Sequence, residues 1–562
     1  MRLERRVDAL ARSFDMVVVG GGITGICVAR EAAGRGLRVL VVDKDDFGAG
    51  TSSATTKYLH GGIRYLEQYE FGVVRESLRE RRVLSLAAPH LVQPVRFLMP
   101  AWRWSKPAAP LLAAGVLAYD LLAWDKNRGV PDSLHMPKPR WLSKRRVLAA
   151  VPWLQPDHLQ GAFAYPDVLN IHPERLLLAL AFSAVERGAS LLNHVRAERI
   201  LLRPVDHASE VHGIEVVDEL TGTHHQVQTR TVVNAGGPWM DVVLRSVPRD
   251  LGVGVQRSKG VHLLTRPLGG QDAVFARAPS GRHVIVSPWE GHSFIGPTDT
   301  PVDDDPDDVR AVTEDVDLIL DTVNATTTTP LARTDVRHVT VGIRPLVKEQ
   351  GADSYSTSRR HELYDHATAG VANLWSIGGG KWTTARALGE HVLDVLLRSP
   401  ALAGVPTRPF SSRRAPVHGA FAWASDAGPY LDGAARARPE LQLPTDVRLH
   451  LARLYGTDHD AVLDLVAAEP ALARRVSGRA GRLDIAAQVV HAVVAESASR
   501  VGDVIDRRLV LGTLGGVTEA EVRTVAGIMA PLCGWDDARV AQEIVRYEAV
   551  LARVRALLAV NP

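Results

Sequence analysis

The sequence predicts an α/β body, in which a layer of alternating strands and helices is interleaved with a mixed-sheet domain, followed by an all-helical C-terminal domain. Three observations carry this expectation. Strand and helix patterns alternate from Met16 onward. Strand-rich stretches interrupt them, between Ser190 and Val233 and again from Gly260 to Gly296. Beyond about Thr445 the chain is rich in Ala, Leu, Val and Arg at helical spacing.

The first unit is the most informative. Met16-Val17-Val18-Val19 is a short apolar run suited to a buried parallel strand. It enters Gly20-Gly21-Gly22-Ile23-Thr24-Gly25, a G-x-G-x-x-G turn, and Ile26 to Gly34 then reads as a helix with small residues facing a sheet. Arg38 to Val42 is a second strand, closed by Asp43, 18 positions after Gly25. Each part has a physical task. Gly20 permits the tight turn, Gly22 lets the backbone approach a pyrophosphate, and Gly25 lets helix and strand pack closely. The helix N-terminus presents N–H groups to phosphates, and Asp43 accepts hydrogen bonds from a ribose diol. The unit is therefore a Rossmann-type dinucleotide site.

Further along, a charged helix runs from Gly72 to about Ala88, and Pro94 to Pro107 reads as irregular, with Trp102 and Trp104 in it. Arg175 to Gly188 is helical. Ser190–Asn193 and Glu198–Leu202 read as strands, and Glu210–Val217 with His225–Val233 as a hairpin. Val233 to Trp239 is a strand ending in a glycine turn. Val302 to Asp308 is an acidic, solvated loop, and Leu374–Ile377 is a strand running into Gly378-Gly379-Gly380 before a helix from about Thr383. These patterns divide the chain into an interleaved body over 1–404, a linker region over 405–444 that is rich in Pro, Ser and Arg near its start, and a helical domain over 445–562.

Composition narrows the function classes. The 562 residues call for more than one domain, and 46% apolar with 23% charged residues describes a globular chain with a large core. With 66 basic against 63 acidic residues the net charge is only +3, which does not suggest a nucleic-acid binder. Cys27 and Cys533 are the only cysteines, too few for a disulfide framework or a metal cluster. No metal site is expected, and no G-x-S-x-G elbow suggests a hydrolase. Met1 to Ser13 is charged and does not read as a signal peptide. The most apolar window, Pro110 to Trp124, is shorter than the roughly 20 residues a membrane span needs.

Several further stretches, in order, resemble the FAD-dependent glycerol-3-phosphate dehydrogenases, within the D-amino-acid-oxidase-like flavoproteins. They are the hydroxyl-rich Thr51 to Thr56 with Lys57-Tyr58-Leu59-His60-Gly61-Gly62-Ile63-Arg64-Tyr65-Leu66, Val233 to Trp239, Lys259 to His262, Pro288-Trp289-Glu290 with Gly296 to Asp299, Gly342 to Leu346, Ser358 to His361, and Gly379 to Arg386. Glu496 and Asp503 to Arg508 resemble the helical cap of that family. Three positions depart from its pattern: Asp43 stands where Glu is common, and Tyr58 and Trp382 stand where aliphatic residues are frequent.

The resemblance implies oxidation of sn-glycerol 3-phosphate to dihydroxyacetone phosphate with FAD as cofactor. That chemistry needs a grip on a dianionic phosphate, a base for the C2 hydroxyl, and stabilisation of developing negative charge. For the phosphate the candidates are Arg344 and Arg359, with Arg64 nearby; structural ion pairing is the alternative role for each. For the base the candidate is His262, with His60 second, among 21 histidines. Lys381 would stabilise the substrate oxygen or the flavin N1–C2=O edge, unless it is a snorkelling surface lysine. Tyr65 would hydrogen-bond substrate. For FAD the candidates are Gly20, Gly22, Gly25, Asp43, Ser52, Ser53, Gly61, Gly62, Gly236 and Gly379, with Val195 as a backbone contact at the adenine end.

The resemblance also implies a membrane quinone as electron acceptor, a peripheral position on the cytoplasmic face of the cell membrane, and a homodimer by analogy. Trp102, Trp104 and the apolar window to Trp124 fit an interfacial contact, though a buried helix would read similarly. Two related chemistries stay open: an oxygen-using glycerol-3-phosphate oxidase, and an amine or D-amino-acid-type oxidase.

Overall fold

The computed structural model describes residues 2–105, 108–347, 361–421 and 424–559. A six-stranded sheet runs in the order 361–365, 374–379, 232–234, 16–19, 39–42, 190–192, parallel throughout except for the first strand at its edge. Its strands come from far apart in the chain, because each crossover leaves to build another layer. Side chains alternate across the sheet. Met16, Val18, Val39 and Val41 pack against the helices Ile23–Gly34, Pro173–Val185 and Ala385–Leu396. Val17, Val19, Leu40 and Val42 pack against strands Val195–Val205 and Ala208–Asp218 on the opposite side. Burial on both faces explains why these strands read as unbroken apolar runs.

A second, ten-stranded sheet forms the mixed layer. Its spine is the order 300–302, 255–265, 292–296, 283–289, 273–277, 92–102, 159–170, 58–59, with 336–347 paired to 255–265 and 140–143 to 159–170. All its pairings are antiparallel except that of 273–277 with 92–102. From Thr445 to Leu558 the described elements are helices. The α/β body, mixed sheet and helical C-terminal domain expected from sequence are all present.

Two local expectations are corrected. The stretch from Pro94 to Pro107 is not irregular over its first part: Val92–Trp102 is an eleven-residue strand, and residues 106 and 107 lie outside the described residues. Its parallel neighbour pairs only at Phe97 and Leu98, so neither Pro94 nor Pro100 has to donate to that partner. The hairpin strand expected over His225–Val233 ends at Gln228, and the chain then crosses to the six-stranded sheet at Val232. The start of the linker region, over 410–416, lies back over the first helix: Phe410 fills the space a side chain at Gly34 would take, and Arg30 donates to the Ala415 and Pro416 carbonyls. No helix among the described residues is long and apolar enough to cross a membrane.

Candidate active site

A cavity of about 1190 Å³ lies between the six-stranded and mixed sheets. One end is built by the first βαβ unit. Gly20 has φ +112°, and a Cβ there would sit 2.6 Å from the Ala235 carbonyl oxygen. Gly25 faces inward instead of lining the cavity; a Cβ on it would stand 1.9 Å from the Gly20 oxygen, so helix and turn could not close. Gly22 and Thr24 open the first helical turn onto the cavity. Asp43 accepts from Gly21 N at 2.6 Å and Asp45 N at 2.9 Å. Burial pushes its carboxyl up to about 7 against those two hydrogen bonds.

The Ser/Thr-rich loop frames the next part. Ser52 Oγ accepts from Ile23 N at 2.9 Å, capping the helix while lining the cavity. Ser53 does not line it; its Oγ donates to the Gly48 carbonyl at 2.7 Å. Trp382 Nε1 donates to the Ser52 carbonyl at 3.2 Å, joining this loop to the triple-glycine turn. Gly61 also sits behind the wall. Its N–H donates to Tyr119 Oη at 2.7 Å, which donates to Asp167, itself held by Arg81. That buried chain fixes the turn presenting His60, Gly62, Arg64 and Tyr65 to the cavity. Val195 is buried outside it and donates to the Asp43 carbonyl at 2.7 Å; its neighbours Arg196 to Glu198 are the lining residues.

Beyond the glycine turn, against which Gly236 packs, the cavity is lined by His262, Arg344, Gly379 and Lys381. His262 is 2% exposed, stacks on Phe294 at 4.9 Å between ring centres, and neither ring nitrogen has a hydrogen-bond partner among the described residues. Burial, reinforced by the charges of Arg344 and Lys57, lowers it to about 3, so the imidazole is neutral. Burial also lowers His60, with Asp167 opposing and Lys381 and Arg64 assisting. Lys381 Nζ lies 3.7 Å from the centre of the Tyr65 ring, out of solvent contact. Arg344 lies across Gly260, where a Cβ would be 2.4 Å from its Nη2; it donates to the Thr298 carbonyl at 2.9 Å and pairs with Asp299 at 3.3 Å. Arg359 lies outside the described residues.

Sequence reading passed over a second basic group. Phe275, Arg277, Arg282 and His283 line the cavity from the hairpin 273–289. Burial, then Arg277 and Arg64, lower His283 to about 4. The available signal was two basic residues spaced along adjacent strands, which no motif marks. The acidic loop, expected to be only solvated, also reaches the cavity: Asp307 pairs with Lys44 and accepts from Trp239 Nε1.

Comparison with known proteins places this geometry. Residues 15–395 match the FAD dependent oxidoreductase family, and residues 411–540 match the C-terminal domain of alpha-glycerophosphate oxidase. The chain is 34% identical over 553 residues to the glycerol-3-phosphate dehydrogenase of Synechocystis, covering 95% of this chain and 96% of that one. The chain belongs to the FAD-dependent glycerol-3-phosphate dehydrogenase family. Glycerol-3-phosphate dehydrogenase 2 of Mycobacterium tuberculosis is also 34% identical, over 97% of this chain and 88% of its own length. The crystal structure of the Bacillus halodurans glycerol-3-phosphate dehydrogenase complexed with FAD superposes with a TM-score of 0.79 at 26% identity, covering all of both chains.

The residues of this family member fit FAD. The glycine turn leaves room that side chains would fill, and the cavity exceeds the roughly 300–1,000 Å³ of ordinary small-molecule sites. It extends from Asp43, at the end of the second strand, to His262, whose buried ring nitrogens have no hydrogen-bond partner among the described residues.

Proposed function

We propose that this chain oxidises sn-glycerol 3-phosphate to dihydroxyacetone phosphate and passes the electrons to a membrane quinone. The observation that carries the reading is one cavity lined at one end by a dinucleotide turn and at the other by His60, His262, Arg64, Arg344 and Lys381. It is supported by relatives of nearly equal length that are called glycerol-3-phosphate dehydrogenase.

FAD, when bound, supplies the ring that accepts hydride from C2. The chain's own residues do the rest. Arg344 and Arg359 grip the phosphate, with Arg64 nearby. His262 takes the proton of the C2 hydroxyl on a ring nitrogen, with His60 the second candidate. In the free protein burial, then the charges of Arg344 and Lys57, hold His262 weakly basic; a phosphate dianion beside Arg344 offsets the charge contribution and raises its basicity. Lys381 stabilises negative charge on the substrate oxygen or the ring edge. Gly20, Gly22, Asp43, Ser52, Gly62, Gly236 and Gly379 hold the cofactor from the cavity wall, and Gly25, Ser53, Gly61 and Val195 shape that wall from behind.

Contact with a bilayer, where a quinone resides, is assigned to the helix Ala109–Leu122. Leu111, Leu117, Leu121 and the following Trp124 are each more than 60% exposed and fall along one side of it.

Anaerobic mixing of the purified holoprotein with glycerol 3-phosphate tests the reading. The visible absorbance of the oxidised flavin should bleach in a single turnover and recover on adding a quinone. No bleaching with glycerol 3-phosphate, but bleaching with amines, would overturn it. Stoichiometric peroxide in air would make oxygen the acceptor, an outcome the match to an oxidase C-terminal domain makes worth measuring.

A further inference from the structure

The loop after the second strand forms one wall of the dinucleotide end: Asp43, Lys44, Asp45, Gly48, Ala49 and Gly50 all line the cavity. Asp46 does not. Its carboxylate points away, into the junction with the C-terminal domain, and is 1% exposed. There it accepts from Arg508 Nη1 at 2.5 Å and Nη2 at 2.8 Å, from Arg507 Nε at 2.5 Å, and from Asn193 Nδ2 at 2.9 Å. Arg508 is fully buried and also donates to the Glu496 carbonyl at 2.8 Å. Arg507 donates to Asp503 at 2.9 Å, and Asp503 meets His194 Nε2 at 2.8 Å.

On its other side the same loop is locked to the glycine turn. Gly48 N donates to the Gly21 carbonyl at 3.1 Å, and Gly21 N donates to Asp43 Oδ2 at 2.6 Å. The Phe47 ring lies under Gly21, where a Cβ would be 2.7 Å from its Cδ1. His194 N and Val195 N donate to the Asp45 and Asp43 carbonyls. A continuous set of bonds therefore runs from the guanidinium groups of the last domain to the carboxylate at the dinucleotide end.

Asp46, His194 and Asp503 bring ligand-type atoms within 4.8 Å of one another, but the two guanidinium groups already use both Asp46 oxygens, so the cluster is a clamp and no cation site. Charge gives the clamp a reason. Asp43, Asp45 and Asp46 crowd three acids beside a site for an anionic pyrophosphate, and a buried carboxylate without partners would protonate. Against the burial that would raise it, Arg508 and Arg507 hold the Asp46 carboxyl well below the usual carboxylate range and so keep it ionised.

We propose that Arg507 and Arg508 are positioning residues for FAD: by pinning Asp46 they hold the Asp43–Gly48 loop so that Asp43 faces the ribose, making the C-terminal domain part of the cofactor site. The inference rests on the assignment of FAD to this cavity.

The test compares Asp46→Asn with Arg175→Met in full-length protein. Arg175 pairs with Glu496 at the same domain junction but does not touch the loop. Asp46→Asn should weaken FAD binding at least tenfold by fluorescence titration of flavin-stripped protein. Excess FAD should restore turnover with the KM for glycerol 3-phosphate within twofold of wild type. Arg175→Met should lower the thermal midpoint and leave FAD affinity unchanged. If Asp46→Asn does not fold, Arg507→Lys replaces it, with at least threefold weaker FAD binding expected. Wild-type affinity in the loop variant, or an equal loss in Arg175→Met, overturns the proposal. Wild-type protein that bound no flavin would overturn it together with the cofactor assignment beneath it.

Discussion

Arg344 is held from several directions before any ligand arrives: Thr298 and Asp299 fix its guanidinium, and the missing side chain at Gly260 gives it a bed. A pre-set fork loses little entropy on gripping phosphate. Arg344→Lys keeps the charge and loses the fork, and should raise the KM for glycerol 3-phosphate about tenfold, about 1.4 kcal/mol, with a smaller change in kcat; steady-state kinetics with a soluble acceptor checks this. His262→Asn removes the imidazole while leaving a polar side chain of similar reach. It should slow single-turnover bleaching by about 10² or more with FAD content unchanged, and an unchanged bleaching rate would transfer the base role to His60. These residues were legible in sequence because each sits in a short motif whose glycines and prolines fix the backbone. Arg277 and His283 were not, because strand pairing alone brings them to the cavity. Gly25, Ser53 and Gly61 were read as contacts yet act one layer back, a distinction that depends on which way a turn faces.

At the scale of elements, the first βαβ unit was readable almost to the residue, since burial on both faces leaves an unbroken apolar signature. The strand Val92–Trp102 was hidden by its two prolines, which are tolerated because its parallel partner pairs with it only at Phe97 and Leu98. The helix Ala109–Leu122 was ambiguous between core and interface. Val116 and Tyr119 face inward, while Leu117 and Leu121 stand 63% and 74% exposed. An apolar stripe left facing water calls for a partner. Replacing both residues, Leu117→Glu with Leu121→Glu, removes about 3 kcal/mol or more of apolar transfer free energy. Co-sedimentation with phospholipid vesicles should fall at least tenfold, while turnover with a water-soluble acceptor stays at the wild-type level. Retained vesicle binding would move the contact elsewhere.

Across the whole molecule, buried histidines couple stability to pH. His90 lies where the body meets the C-terminal domain, edge-on to Phe421, and burial, then the charges of Arg175 and His418, lowers it to about 3. Its folded pKa lies below the unfolded value of about 6.5, so its contribution is complete above pH 6.5 and is lost as pH falls toward 3. Between pH 6 and 4, wild type should lose stability faster than His90→Asn by about 1.4 kcal/mol per pH unit; thermal midpoints at pH 6, 5 and 4 measure the difference. His418 has the opposite sign. Asp458 and Glu186 overcome its burial and raise it to about 9, so its contribution is complete below pH 6.5 and fades as pH rises through 9. The order of layers was legible from strand and helix periodicity, but the clamp between Asp46 and Arg508 was not: the two residues are 462 positions apart, and nothing local in either stretch refers to the other.

The clamp has a consequence for how a cell makes this protein. The glycine turn is made long before Leu374–Gly379, which completes its sheet, and before Arg507 and Arg508, which pin the Asp46 carboxylate of its acidic loop. Leu3 N, donating to the Ala495 carbonyl, is a second tie between segments far apart in the chain. Until those later segments emerge, a nascent chain carries an incomplete nucleotide pocket and exposed apolar strands. If the clamp positions the loop as proposed, flavin is held at full strength only once Arg507 and Arg508 have been made and docked.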